Sequence, residues 1–186
     1  PNATIDDRYG GTDDHRAQTT RGTHVHFDAD NIPVRRPAMI EAGFWPDRTI
    51  NQCLDEVVAA HPSRTALTAV RLDGGTVTMT YRELALAADR TALGLHHLGV
   101  RAGDVVAVQL PNWWEFTVTY LACARIGAVM NPLMHIFRER ELSFMLGHSE
   151  ASVAIIPSMF RGHDFRAMYD GLRHEVPTMQ HVIAVD

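Results

Sequence analysis

The sequence predicts an α/β fold, a doubly wound and mostly parallel sheet with helices on both of its faces. Three observations lead there. The near-continuous apolar runs "DVVAVQL", "GAVMN", "ASVAIIP" and "HVIAVD" have the look of strands buried on both sides, not of strands with one wet face. They alternate with stretches whose apolar residues recur at helical spacing. The connections are short, about two to six residues, as right-handed βαβ units require.

In chain order, residues 1–30 are rich in Asp, Arg, Gly, Thr and His with almost no apolar periodicity. They are expected to form an extended or disordered leader. Residues 31–186 are expected to form one α/β domain. Pro33 and Pro37 bracket a short helical turn, and "TINQCLDEVVAAHP" then places Ile50, Leu54, Val57 and Val58 on one face of a helix that Thr49 caps and Pro62 ends. "RTALTAVRL" and "TVTMT" flank Asp73-Gly74-Gly75, which reads as a hairpin. Thr80 and Glu83 form a capping box for a helix carrying Tyr81, Leu84, Ala88, Ala92, Leu95 and Leu98 until Gly99. After "DVVAVQL", Asn112 and Glu115 are expected to cap a helix over residues 113–125. Later helices are expected over 138–146 and near 165–173, each followed by a strand.

Composition narrows the chemistry. A 186-residue chain that is 46% hydrophobic and 21% charged is globular. A net charge of -5, with scattered arginines, offers no basic stripe for nucleic acid. Cys53 and Cys123 lack zinc-ligand or redox spacing and read as thiols in a reducing, cytoplasmic setting, and no run is apolar enough to suggest a membrane span. All 17 basic residues are arginine, so mechanisms that need a lysine from these residues are excluded.

Few side chains stand out as a site. No G-x-G-x-x-G or G-x-S-x-G follows a strand, which leaves a dinucleotide fold, a flavodoxin-like domain and an α/β-hydrolase without their motifs. Among 11 histidines, His24 and His26 could offer two imidazoles but have no third ligand, so no metal site is expected. His96 and His97 suit a helix C-terminus. Trp113 and Trp114 are expected to straddle core and surface. Arg138, Glu139, Arg140 and Glu141 read as a solvated helix face. His135 follows the Asn131-Pro132 break at the end of a strand, where ligands of open α/β sheets gather, although packing of its loop is the preferred reading.

Three segments together resemble the adenylate-forming acyl-CoA synthetases. They are Thr80, Tyr81, Glu83 and Leu84 in a "T-Y-x-E-L" helix start; residues 103–112 as "G-D-x-V-A-V-x-L-P-N"; and residues 125–132 as "R-x-G-A-V-x-N-P". The likeness extends over about residues 44–186, and "IFRERELSFML" is most similar to ligases for cyclohexanecarboxylate-like, aryl or medium-chain acids. The resemblance implies an N-terminal subdomain of an enzyme that uses Mg-ATP to convert a small carboxylic acid to an acyl-adenylate, then transfers the acyl group to CoA. It also implies a Ser/Thr/Gly-rich phosphate loop, a ribose-binding Asp and a catalytic Lys, none of which this chain contains. No catalytic residue, cofactor-binding residue or metal ligand is therefore assigned. The chain is expected to be inactive alone, as the first third of a longer ligase that could self-associate through the exposed face. The alternative is a naturally short, non-catalytic scaffold. Some members of that family carry a basic residue after Asn-Pro to meet CoA phosphates. Leu133 stands there in this chain, and His135 and Arg138 are the nearest candidates for the wall of a substrate or CoA tunnel.

Overall fold

The computed structural model describes residues 31–71 and 74–186. The expected leader, His24, His26 and Asp73 of the expected turn lie outside the described residues. The chain opens with α1 (Asn31–Glu41), longer than the expected single turn: it encloses Pro37, whose missing N–H removes one intrahelical bond without ending the helix. Helix α2 (Ile50–Ala60) starts at Thr49, whose hydroxyl accepts from the Gln52 N–H while the Gln52 side chain accepts from the Thr49 N–H. Of its expected buried face only Leu54 is fully buried. Ile50, the first helical residue, is exposed, because it projects ahead of the packed turns.

Strands β1 (Thr65–Val70) and β2 (Thr76–Thr80) form the expected antiparallel hairpin. Helix α3 (Tyr81–His97) begins with the Thr80 and Glu83 capping box and buries Leu84, Ala88, Ala92 and Leu95. Strand β3 (Val105–Val108) follows, then α4 (Trp114–Ile126). The cap of α4 is Trp113 rather than Asn112, and it makes no side-chain cap bond. Gly127, left-handed at φ 69°, ends the helix.

Next come β4 (Val129–Pro132), α5 (Glu139–His148) and β5 (Val153–Pro157), a two-residue-stranded hairpin of β6 (Met159–Phe160) and β7 (His163–Asp164), α6 (Phe165–Leu172) and β8 (His181–Val185). That small hairpin is an addition to the expected elements. The main sheet is parallel throughout, in the order β4-β3-β5-β8. Only the two central strands are buried on both faces. "GAVMN" and "HVIAVD" were expected to be buried likewise, yet β4 and β8 are half-exposed because they are the sheet's two edges.

Period-two alternation in the central strands builds two cores. Val105, Ala107, Ala154 and Ile156 face α5 and α6, where Leu142, Leu146, Phe165 and Tyr169 meet them. Val106, Val108, Val153 and Ile155 face α3 and α4, against Ala92, Leu95, Ala122 and Cys123. This is the doubly wound arrangement, with helices on both faces. A third cluster of Leu54, Leu84, Ala85, Ala88, Val118 and Leu121 packs α2 onto the outer side of α3 and α4. Among the described residues, no helix is long and apolar enough to cross a membrane.

Arg125, at the last turn of α4, ties these helices together. Its guanidinium donates to Asp55 of α2 at 2.9 Å and to Asp89 of α3 at 3.0 Å. The hydrogen bonds from Arg125 hold the Asp55 carboxyl below its ordinary pKa, against the opposing effect of burial and with help from the Arg125 charge. A depressed folded-state pKa stabilises the fold above the ordinary aspartate value, and that contribution disappears as pH falls through the depressed value. The stability gap between the parent chain and Asp55→Asn, measured by urea unfolding across a pH series, is therefore expected to be largest near neutrality and to close in strong acid. A gap that stayed constant with pH would show that the carboxylate charge plays no part.

Candidate functional site at the carboxyl edge of the sheet

In an open parallel sheet the loops that leave the carboxyl ends of the strands define the ligand side. Here three segments meet on that side: Gln109 to Trp113 after β3, Leu133 to Arg138 after β4, and the β6–β7 hairpin after β5. The first two are tied together by Gln109. Its side chain is fully buried, and its Nε2 donates to the carbonyls of Met134 at 2.9 Å and Phe137 at 3.2 Å. The Leu133 N–H also donates to the Val108 carbonyl at 2.9 Å, continuing the sheet into the loop. Sequence reasoning missed Gln109. The signal was present, since it is a polar side chain set between the apolar Val108 and Leu110 at the end of the strand run.

His135 lies on this loop, half-buried, with its ring edge-on to Phe160 at 5.1 Å. Arg138 is the residue before α5 and not part of a solvated helix face. Its guanidinium donates back to the carbonyls of His135 and Phe137 at 2.9 and 2.8 Å, and lies 5.8 Å from the Phe165 ring centroid. The two residues singled out from sequence thus sit in one loop, His135 against the hairpin and Arg138 bracing the loop's backbone.

Trp113 and Trp114 are half-buried, as expected of straddling residues. Trp113 meets Phe160 edge-on at 5.9 Å. Both indoles line a cleft of about 270 Å³ with Val70, Arg71, Glu115 and Met159. Burial raises the Glu115 carboxyl above its ordinary pKa, while its own backbone N–H and the Arg71 charge pull the other way. A second groove, of about 510 Å³, follows the β4 edge past Phe137, Phe144 and Met145 and is mainly apolar.

Neither cleft holds a catalytic set. Cys123 is buried, and burial pushes its thiol up to about 11, far from nucleophilic use. Among the described residues, no group of three or more His, Cys, Asp or Glu could hold a metal ion. The chain contains no lysine, and no Gly-rich loop follows any of the described strands. What the carboxyl edge offers is an aromatic floor beside His135 and Arg138 on one short, braced loop.

Comparison with known proteins follows the same lines. The sequence model of the family described as AMP-binding enzyme matches residues 54–186. A 2-hydroxy-7-methoxy-5-methyl-1-naphthoate–CoA ligase of Streptomyces carzinostaticus is 36% identical over 154 residues, covering 83% of this chain and 26% of the relative. The medium-chain fatty-acid–CoA ligase of Escherichia coli (strain K12) is 34% identical over 172 residues, covering 89% of this chain and 30% of the relative. Among solved structures, the N-terminal domain of FACL13 from Mycobacterium tuberculosis superposes with a TM-score of 0.65 at 28% identity, covering 75% of this chain and 34% of that one. The chain therefore spans 26% and 30% of the lengths of these two curated relatives.

Proposed function

This chain belongs to the AMP-binding enzyme family, and we propose that it forms the N-terminal α/β part of a ligase that joins a carboxylic acid to CoA at the expense of ATP. The observation that carries this reading is the pair of relatives at 36% and 34% identity, both of them acid–CoA ligases, one for a naphthoate and one for medium-chain fatty acids. An aryl or medium-chain acid is accordingly the substrate class. The overall conversion takes acid, ATP and CoA to acyl-CoA, AMP and pyrophosphate, with Mg accompanying the nucleotide.

Within that enzyme these residues supply wall and positioning. The β3–β4–β5 edge, the Gln109 clamp and the His135 to Arg138 loop offer a rigid surface next to which acid and CoA can be held. Forming an acyl-adenylate requires cationic or dipolar groups aimed at the α-phosphate and at the departing pyrophosphate. These 186 residues hold no lysine, so any lysine that the reaction uses comes from outside them.

The 186-residue chain alone is therefore expected to show no acid-dependent ATP–pyrophosphate exchange with benzoate-type or medium-chain acids. A longer product of the same gene is expected to show it, and to form the CoA thioester. Exchange by the short chain would overturn the assignment of these residues to a supporting role. A longer product without acid-dependent exchange would overturn the ligase reading itself.

A further inference from the structure

Helix α6 starts on a contact of uncommon chemistry. Asp164 is its N-cap, with the carboxylate accepting the Ala167 N–H at 3.0 Å. The residue before such a cap often packs on the fourth residue of the helix, and both are then apolar. In this chain those positions are His163 and Met168, and two heteroatoms meet: His163 Nε2 lies 3.4 Å from Met168 Sδ. An imidazole nitrogen and a thioether sulfur thus face each other across the first turn.

The pair is held in place before anything binds. Met168 is 4% exposed, on the same buried face of α6 as Phe165, Tyr169 and Leu172. His163 is half-buried, its ring edge-on to Phe165 at 4.9 Å and its backbone paired with Phe160 in the β6–β7 hairpin. The Phe165 N–H donates to the Ser158 carbonyl at 3.1 Å, which fixes the start of the helix to the strand before the hairpin. Among the described residues, no second hydrogen bond engages either side chain.

We infer that His163 Nε2 and Met168 Sδ form a two-donor site for a soft monovalent cation of the Cu(I) class. Thioether sulfur is a soft ligand that selects Cu(I), and imidazole nitrogen suits copper as well. With bonds of the length seen at zinc, about 2.0–2.1 Å to nitrogen and about 2.3 Å to sulfur, an ion bent between the two donors spans their 3.4 Å separation without moving either. The ion replaces a proton. In the unloaded pair Nε2–H donates to the sulfur; on loading, the imidazole keeps its proton at Nδ1, and Nε2 and Sδ each give a lone pair to the metal. The ion sheds water and no electron is transferred. The Asp164 carboxylate offsets the positive end of the helix dipole beside the ion. Zinc is poorly served, because it asks for more nitrogen, oxygen or thiolate donors, and no group of three His, Cys, Asp or Glu is available among the described residues. The inference does not draw on the ligase reading.

Silver(I) nitrate, which binds as Cu(I) does without its redox chemistry, is the probe. It is titrated into the 186-residue chain in chloride-free buffer, in a Cys53→Ser background because that half-buried thiol competes for silver, whereas Cys123 is buried. NMR of the Met168 methyl and the His163 ring reads the site. Both signals are expected to shift together and to saturate at one equivalent. Met168→Leu keeps the apolar contact and is expected to weaken binding at least about tenfold, since even the loss of a second-shell partner costs that much. His163→Phe completes an apolar staple and is expected to hold or raise the thermal midpoint while abolishing the Met168 shift. Shifts at His163 that survive Met168→Leu, shifts confined to Cys123, the lack of a saturable shift at either residue, or an equal response to zinc acetate overturns the site.

Discussion

Replacing Ile156 by alanine is expected to lower the unfolding free energy by about 3–4 kcal/mol, as large-to-small changes do in a core that cannot collapse around them. Ile156 is 0% exposed. It sits on β5, one of the two central strands, and packs toward the α5 and α6 side among Leu142, Leu146, Phe165 and Tyr169. A strand fixed on both sides by its neighbours has little freedom to shift into the space left behind. Ile183 offers the internal comparison, because β8 pairs only with β5 and its side chains are half-exposed. Ile183→Ala is expected to cost less, about 1–2 kcal/mol, since the part already in water contributes no transfer free energy. Urea unfolding of both variants under identical conditions checks the pair. Equal losses would mean that β8 is not an edge of the folded chain.

That contrast also marks what the sequence can carry. "DVVAVQL" and "HVIAVD" are equally apolar, yet one is a central strand and the other an edge. Apolar runs report that a strand is wanted; which neighbours it acquires depends on crossovers that no local window contains. Caps were legible where both partners lie three residues apart, as with Thr49 and Gln52 or Thr80 and Glu83. At α4 the same logic pointed to Asn112, whereas Trp113 takes the cap position, its ring drawn to Phe160. Packing outranked propensity there.

The site was less visible than the fold, for a related reason. His135 and Arg138 were recognisable from their place after a strand, but their ring partners Phe160 and Phe165 lie beyond a helix and another strand. Gln109 reaches carbonyls 25 and 28 positions away, and Arg125 reaches carboxylates 36 and 70 positions away. Such links have no period to detect. The β6–β7 hairpin is shorter still, since strands of two residues show no alternation and its Arg-Gly turn departs from the usual Asn-Gly signal.

Gly127→Ala is expected to destabilise the chain by about 2 kcal/mol, with two separable causes. The first is conformational. Gly127 stands at φ 69° as the C-cap of α4, and its amide N–H donates to the Ala124 carbonyl as the helix closes. An alanine held in that left-handed region costs about 1–2 kcal/mol that glycine does not. The second is steric. A Cβ at this position would stand 3.1 Å from the Cβ of Ala102, in the loop before β3, closer than two methyl groups comfortably approach. The loop cannot simply move aside, because the Gly103 N–H donates to the Gly127 carbonyl at 2.9 Å and the Val129 N–H donates to the Asp104 carbonyl at 2.9 Å. The motif glycine thus allows a helix to stop, turn and enter the parallel ladder within two residues. A double-mutant cycle with Ala102→Gly separates the causes, since removing the opposing methyl relieves the steric part and leaves the backbone part. The double variant is expected to recover only a fraction of the loss, beyond what Ala102→Gly does alone. Full recovery would assign the whole effect to crowding, and strict additivity would assign all of it to the backbone; either outcome contradicts the two-cause account.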